Sequence, residues 1–160
     1  MHSLQLPLRG RCQCGVVSFQ CTGQPFVAYT CHCLECQRLS SSAFNTCIQV
    51  AAETVEIVSG EPCVRDRTAD SGNVLSTYFC RDCGSAIFSQ NSARPRIRTI
   101  YVGTLNDAGL IDVCAHIWVK RKLPWVVVPS SHRIFNEGGD WTVDYASDIT
   151  RYKPQMEGER

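Results

Sequence analysis

The chain of 160 residues carries 16 lysines and arginines against 15 aspartates and glutamates, which gives a formal net charge of +1. A composition of 44% hydrophobic and 19% charged residues is typical of a globular protein and argues against a disordered chain. The balanced charge gives no general electrostatic reason to bind nucleic acid or an anionic membrane, and no apolar run approaches the roughly 20 residues of a membrane-spanning helix.

Short strands separated by turns account for most of the chain. Val17, Phe19 and Cys21 alternate with their neighbours along residues 15–23, which predicts a strand with one buried face. Further strands are predicted from β-branched and apolar runs at residues 46–50, 54–58, 74–79, 85–89, 97–102, 113–119 and 125–128. Only residues 35–42 and the region around Asp107 are expected to form short helical turns. The sequence therefore predicts a single, mainly β domain.

The end of the chain differs in composition from the rest. Trp125 is expected to pack in the core together with residues 126–128. From Asn136 onward the sequence is rich in glycine and charged residues, so residues 136–160 are predicted to be a partly disordered C-terminal extension. The domain is accordingly expected to span residues 8–135.

Cysteine is the unusual residue of this composition, with 11 copies in the chain. An odd number of cysteines, in a sequence without a recognisable secretory signal, argues against a disulfide scaffold. In a reducing compartment, clustered thiols are typical of metal ligands or redox groups. We therefore expect a cytoplasmic protein that uses its cysteines chemically.

Seven of the cysteines fall into three tight clusters, which are Cys12 with Cys14, then Cys31, Cys33 and Cys36, and finally Cys80 with Cys83. Such short spacings let one tight turn present two sulfur atoms to the same zinc ion, and a glycine follows both Cys14 and Cys83, where the chain must turn sharply. The two outer pairs together supply four ligands, which closes a tetrahedral shell and indicates a structural site. The middle cluster supplies three, which leaves one coordination position open.

Other interpretations of the cysteines stay open at this point. The middle cluster could recruit a further cysteine, Cys47 or Cys63 for example, and form a second closed structural site. One Cys-x-x-Cys could also be a redox pair, although the sequence lacks the βαβ pattern of thioredoxin-like proteins. Otherwise Cys47, Cys63 and Cys114 are expected to be core residues or isolated surface thiols, and Cys21 a small core residue.

The motifs around these clusters resemble those of the glutathione-dependent formaldehyde-activating enzyme family. They are CHCLECQR at 31–38 with Phe44, FCRDCGS at 79–85 with Phe88, GTLND at 103–107, and His116, Lys122 and Trp125 at 116–125. The resemblance implies a β-tent zinc fold, shared with Mss-four-like proteins. It also implies two zinc ions per chain, a structural zinc on Cys12, Cys14, Cys80 and Cys83 and a catalytic zinc on Cys31, Cys33 and Cys36.

The same resemblance implies a reaction. The family joins formaldehyde and glutathione to S-(hydroxymethyl)glutathione, formally a carbon–sulfur lyase run in reverse, with glutathione as co-substrate. We therefore expect small-molecule thiol adducts or aldehydes as partners, neither nucleic acid nor membrane, and a possible homo-oligomer. The alternative is a non-catalytic, zinc-structured module that binds a protein or chromatin, because centromere protein V also belongs to this family.

Three residues beside the middle cluster are further candidates for the site. His32 could orient a thiolate or carry a proton, or it could point to solvent. Arg38 could bind a substrate carboxylate or be an ordinary surface arginine, and Glu35 could be a general base or an exposed carboxylate. Gln37 and Ser41 depart from the family's usual basic residue and glycine, which leaves the substrate undetermined.

Overall fold

The computed structural model describes residues 4–69 and 71–138, and it is mainly β within this part of the chain. The strands are β1 (Leu8–Arg11), β2 (Ser18–Cys21), β3 (Val27–Cys31), β4 (Asn45–Ala51), β5 (Val55–Ser59), β6 (Cys63–Thr68), β7 (Val74–Phe79), β8 (Ala86–Asn91), β9 (Ile97–Tyr101), β10 (Ala115–Ile117) and β11 (Arg133–Ile134). One helix, α1 (Leu34–Ser40), accompanies short 3-10 turns at Ala52–Thr54, Val102–Thr104, Ala108–Leu110 and Val119–Arg121. The prediction of a mainly β, single-domain fold with few helical turns is confirmed.

The strands form two sheets. A three-stranded antiparallel sheet has the order β1-β2-β5, and an eight-stranded sheet has the order β11-β10-β3-β4-β9-β8-β7-β6. In the larger sheet β10 runs parallel to both β3 and β11, whereas the other pairs are antiparallel. β3 ends at Cys31 and β7 ends just before Cys80. The larger sheet therefore positions one cysteine of the middle cluster and one of the two outer pairs.

The main core lies between the two sheets. Phe19 of β2 meets Phe88 of β8 edge to face, with ring centroids 6.4 Å apart, and Ile48 and Ile100 are fully buried beside them. Since successive strand residues point to opposite faces, the odd-numbered residues of β4 and β9 face the other side of the larger sheet, as Ser89 and Asn91 of β8 do. A second apolar cluster covers part of that side and includes Tyr29, with α1 packed against it. The larger sheet is therefore buried on both faces where the candidate site lies.

Several predicted elements are wrong. Residues 125–128 form no strand, Trp125 is 71% and Val127 is 86% exposed, and only Val126 packs inside. Prolines on both sides interrupt the segment, and the N–H of Val126 turns back to the carbonyl of Leu123, so its apolar residues cannot enter a ladder. The predicted strand 113–119 is shorter as well. It ends at Ile117 because Trp118 has φ of +58°, so Trp118 does not share a strand face with His116.

The boundary at residue 135 stays a prediction. The proposed extension 136–160 lies outside the described residues from position 139 onward. Among the residues that are described, none of the helical segments has the length and apolar character required to cross a membrane.

Candidate functional site

The two outer pairs of cysteines come together as the sequence predicts. Cys12 and Cys14 follow β1, whereas Cys80 and Cys83 follow β7, and all four sulfur atoms lie within 4.8 Å of one another. The Sγ atoms of Cys12 and Cys14 are 3.4 Å apart, and those of Cys14 and Cys80 are 3.7 Å apart. Cys12 and Cys80 are buried at the end of the main core. This group is called the outer cluster below.

Two tight turns build the outer cluster. Gly15 has φ of +82° and donates its N–H to the carbonyl of Cys12, and Gly84 has φ of +73° and donates to the carbonyl of Cys80. A residue with a Cβ atom adopts such angles only at a cost, which explains the glycine after each pair. The hydroxyl of Ser85, together with a backbone hydrogen bond there, lowers the pKa of Cys83 to about 5, so this sulfur ionises readily.

The start of a helix brings the three middle cysteines together. Cys31 is the last residue of β3, Cys33 caps α1, and Cys36 lies in the first turn of that helix. Their sulfur atoms lie within 4.8 Å of one another, and the N–H of Cys36 donates to Sγ of Cys33 at 3.3 Å. Cys33 thus takes the N-cap position with a thiol in place of the usual hydroxyl or carboxylate, which keeps its sulfur close to that of Cys36 in the first turn. These residues are called the inner cluster.

The electrostatics of the inner cluster favour a bound cation. Hydrogen bonds from the thiols of Cys31 and Cys36 lower the pKa of Cys33 to about 2. The ionised Cys33 in turn raises the pKa of Cys31 to about 12, and Cys31 and Cys33 raise the pKa of Cys36 well above its ordinary range. Without a cation, only one of the three sulfurs ionises easily, because the negative charges repel one another. A divalent metal removes that penalty, and convergent thiolates are the donors that zinc prefers, so both clusters fit zinc.

The inner cluster opens into a cavity of about 490 Å³, within the size range of small-molecule sites. The walls come from the inner cluster, from α1 and from the face of the larger sheet turned away from the main core. They comprise Tyr29, Cys31, Cys33, Glu35, Cys36, Arg38, Leu39, Cys47, Gln49, Arg65, Arg67, Leu75, Thr77, Ser89, Asn91, Arg94, Thr99 and Tyr101. Cys12 of the outer cluster lines a more open groove of about 580 Å³, which none of the three inner cysteines lines. The structure thus gives the two clusters different surroundings.

A row of polar side chains crosses the cavity floor from strand to strand. The strand register aligns Arg65 with Thr77, Thr77 with Ser89, Ser89 with Thr99, and Thr99 with Gln49. Thr77, Ser89 and Gln49 are buried. A row of hydroxyl and amide groups can exchange hydrogen bonds with amides and carbonyls of a ligand. The row is not visible in the sequence, because its members come from five strands and only the register brings them together.

The phenol and thiol groups of Tyr29, Tyr101 and Cys47, which line the cavity, stay uncharged. Burial raises the pKa of the Tyr29 and Tyr101 phenols above their ordinary value, so both remain protonated at neutral pH. Burial likewise raises the pKa of Cys47, whose sulfur lines the cavity but lies outside the group of thiols within 4.8 Å. Cys63 also lies outside this group, and its sulfur accepts a hydrogen bond from Nε of Arg81 at 3.3 Å. In this structure neither thiol joins the inner cluster.

His32 points neither to solvent nor into the cavity. Its ring is fully buried, and Nε2 lies 2.9 Å from Nδ1 of His116, whose Nε2 lies 3.0 Å from Nδ1 of His132. The interpretation of His32 as a solvent-facing residue is therefore wrong. Nδ1 of His32 is buried without a hydrogen-bond partner among the described residues. Burial, with the nearby charge of Lys122, lowers the pKa of His32, which keeps the ring neutral.

Arg38 and Glu35 lie together at the cavity mouth. Nη1 of Arg38 is 2.6 Å from Oε1 of Glu35, and the Arg38 side chain is 70% exposed. Oε2 of Glu35 also lies 3.7 Å from Nε of Arg67 on β6. Four strands separate β3 from β6 in the sheet, so this contact shows that α1 and the sheet together enclose the cavity.

The fold and the site define a class: a mainly β protein with a closed group of four thiols and a separate group of three thiols that faces a cavity. The family model for glutathione-dependent formaldehyde-activating enzymes matches residues 7–121. The chain belongs to this family, which confirms the resemblance seen in its motifs.

The chain is similar to a crystal structure of a Rhodobacter sphaeroides protein, with a TM-score of 0.49 and 21% sequence identity over 66% of this chain and 96% of that chain. No curated protein matches the sequence.

Proposed function

We propose that the protein is a zinc-dependent carbon–sulfur lyase that forms and cleaves S-(hydroxymethyl)glutathione or a closely related thiol adduct. The observation that carries this proposal is the inner cluster, in which three convergent thiols face a cavity. Membership of the glutathione-dependent formaldehyde-activating family supports both the thiol and the aldehyde as reactants.

We further propose that the chain holds two zinc ions with different roles. Cys12, Cys14, Cys80 and Cys83 would hold a structural ion, since four thiols complete its shell beside the main core. Cys31, Cys33 and Cys36 would hold the catalytic ion, which when bound supplies a Lewis-acid position that favours the ionised form of an incoming thiol. None of the eleven cysteines is paired in a disulfide bond, which supports a cytoplasmic location.

The addition needs no oxidant or reductant. The thiol sulfur forms a bond to the carbonyl carbon of formaldehyde, and the π electrons of the carbonyl group move to its oxygen. That oxygen takes the proton which the thiol has lost, so the product carries a hydroxymethyl group. The reverse reaction breaks the same carbon–sulfur bond, and the protein has to hold both reactants close together in the cavity.

The remaining candidate residues receive supporting roles. His32 lies between Cys31 and Cys33 with its ring anchored in the interior, so we assign it the positioning of these two thiols. Arg38 lines the cavity mouth beside Glu35, where it can meet an anionic group of the substrate. Glu35 is already paired with two arginines, which makes it less suitable as a base.

The test is to measure metal content and adduct formation in parallel. Wild type should contain two zinc ions per chain by native mass spectrometry and should accelerate the reaction of formaldehyde with glutathione. Cys31→Ser should remain folded, lose one zinc ion and lose turnover, because its cluster faces a cavity rather than the main core. Cys80→Ser should lose the fold itself, because its cluster terminates the main core.

Two outcomes would contradict the proposal. If Cys31→Ser keeps both zinc ions and normal turnover, the inner cluster is not the catalytic centre. If wild type binds two zinc ions but does not accelerate adduct formation with any thiol or aldehyde tested, the alternative of a non-catalytic binding module becomes the better description.

A further inference from the structure

Most of the charged residues that line the cavity are positive. They are four arginines and a single carboxylate, Glu35. Such a bias is absent from the chain as a whole, where 16 basic residues face 15 acidic ones. An excess of positive charge in a concave, partly enclosed site attracts anionic ligands and holds them better than an open surface does.

The four arginines fall into two groups by their partners. Arg38 and Arg67 both contact the carboxylate of Glu35, at 2.6 and 3.7 Å. Arg65 and Arg94 line the same cavity, and neither forms an ion pair with any acidic residue in the described ranges 4–69 and 71–138. Both are exposed. A ligand carboxylate can therefore reach these two guanidinium groups without displacing a partner within that part of the chain.

The positions of Arg65 and Arg94 are set by the fold. Arg65 lies on β6 at the end of the polar row, next to Thr77 in the strand register. Arg94 lies in the turn between β8 and β9, where its N–H donates to the carbonyl of Asn91, which also lines the cavity. Both arginines thus stand at the rim of the cavity that contains the inner cluster.

We propose that Arg65 and Arg94 form a carboxylate-binding subsite that selects thiols carrying carboxylate groups over neutral thiols. This inference rests on the proposed function for the assignment of the ligand as a thiol. A guanidinium group presents its donors as a planar fork that matches a carboxylate, so two such groups can recognise the ends of a peptide-like thiol. The polar row between the rim and the inner cluster supplies hydrogen-bonding groups for the amides of the same ligand.

The experiment measures binding without catalysis. S-Methylglutathione carries the carboxylates but has a blocked sulfur, and its dimethyl ester has the same skeleton without the negative charges. Titration calorimetry with the zinc-loaded wild type should show that the acid binds about tenfold or more tightly than the ester. The affinity for the acid should also fall as salt is raised, whereas that for the ester should hardly change.

The matched variants separate a specific subsite from general charge. The double variant Arg65→Gln with Arg94→Gln should lose about tenfold or more in affinity for the acid and keep the wild-type affinity for the ester. Arg96→Gln is the control, because Arg96 is an exposed arginine in the same turn but does not line the cavity. It should bind both ligands as wild type does. Circular dichroism should confirm that all of these variants are folded.

The proposal is overturned if wild type binds neither ligand, if it binds both equally, or if the double variant binds the acid as wild type does. Failure of the proposed function has a different signature. In that case wild type would discriminate acid from ester normally but would not accelerate the addition of formaldehyde to glutathione or to the uncharged thiol 2-mercaptoethanol.

Discussion

Nε2 of His32 lies 2.9 Å from Nδ1 of His116, which is 84 residues further along the chain. This buried hydrogen bond connects His32, the residue between Cys31 and Cys33, to β10. The two rings are stacked with centroids 5.2 Å apart, and His132 continues the row toward the surface. The row of histidines therefore anchors the backbone between Cys31 and Cys33 on the side away from the cavity. The N–H of His32 also donates to the carbonyl of Ile117, which ties the same residue to β10 through the backbone.

We predict that His116→Phe lowers the free energy of unfolding by about 1–3 kcal/mol, because it leaves Nε2 of the buried His32 without a hydrogen-bond partner. Urea denaturation followed by circular dichroism measures the change. His132→Phe is the comparison and should cost less, since His132 is only partly buried and its hydrogen bond with His116 is less deeply buried than the bond between His116 and His32. Equal losses in the two variants would show that the buried bond has no special role in stability.

The same histidines predict a dependence of stability on pH. Burial, with the neighbouring His32 and His132, lowers the pKa of His116 from 6.5 to about 4 in the folded state. Between these values the unfolded chain binds more protons than the folded one, so the stabilisation is fully present above pH 6.5 and is lost as the pH falls toward 4. Burial, with the nearby charge of Lys122, lowers the pKa of His32 as well, which acts in the same direction.

The measurement is the free energy of unfolding of wild type and His116→Phe at intervals between pH 7.5 and 4. Protonation of the cysteines proposed to hold zinc would destabilise both proteins at low pH, so the difference between their free energies of unfolding isolates the contribution of His116. That difference should shrink as the pH falls. A difference that stays constant over the whole range would contradict the lowered pKa.

Local patterns made much of the fold and the grouping of the cysteines predictable. Cysteine spacing alone predicted which seven cysteines come together, because a turn that brings two cysteines close is a local structure with its own signature in residue type and distance along the chain. The alternation of Phe19 and Cys21 likewise revealed β2, whose one buried face faces the main core. Such features depend on a few neighbouring residues and are therefore visible without the tertiary structure.

Features that depend on contacts between distant segments could not be predicted in this way. The sequence of β6 is polar and does not predict a strand. Its structure depends on pairing with β7 rather than on its own composition. For His32 the sequence allows either a solvent-facing side chain or a role beside a thiolate. Nothing in the neighbouring residues reveals that His116 is its hydrogen-bond partner. Trp125 was placed in the core from its size and apolar neighbours, but flanking prolines keep its segment out of the sheets.

The end of α1 offers a test of local strain. Ser41 terminates the helix with φ of +50°, and its N–H donates to the carbonyl of Gln37. A residue with a Cβ atom is strained in this conformation, whereas glycine adopts it freely. We predict that Ser41→Gly raises the free energy of unfolding by about 0.5–1 kcal/mol, measured by urea denaturation.

The neighbouring serine supplies the control for this substitution. Ser42 is also exposed, but its φ is not positive, so Ser42→Gly relieves no strain and should lower stability by up to about 1 kcal/mol. If both substitutions shift stability in the same direction, strain at Ser41 is not the cause.

The last prediction concerns the number of thiols in the proposed inner zinc site. Cys47 lines the cavity with the inner cluster, but its sulfur lies outside the set within 4.8 Å, and burial favours its neutral form. We therefore predict that Cys47→Ala keeps two zinc ions per chain by native mass spectrometry, whereas Cys36→Ala keeps one. Cys63→Ala is the control for loss of a thiol outside both clusters, because Cys63 contacts Arg81 instead. A loss of one zinc ion in Cys47→Ala would make the inner site a closed four-thiol site, which would remove the open position that the proposed lyase chemistry requires.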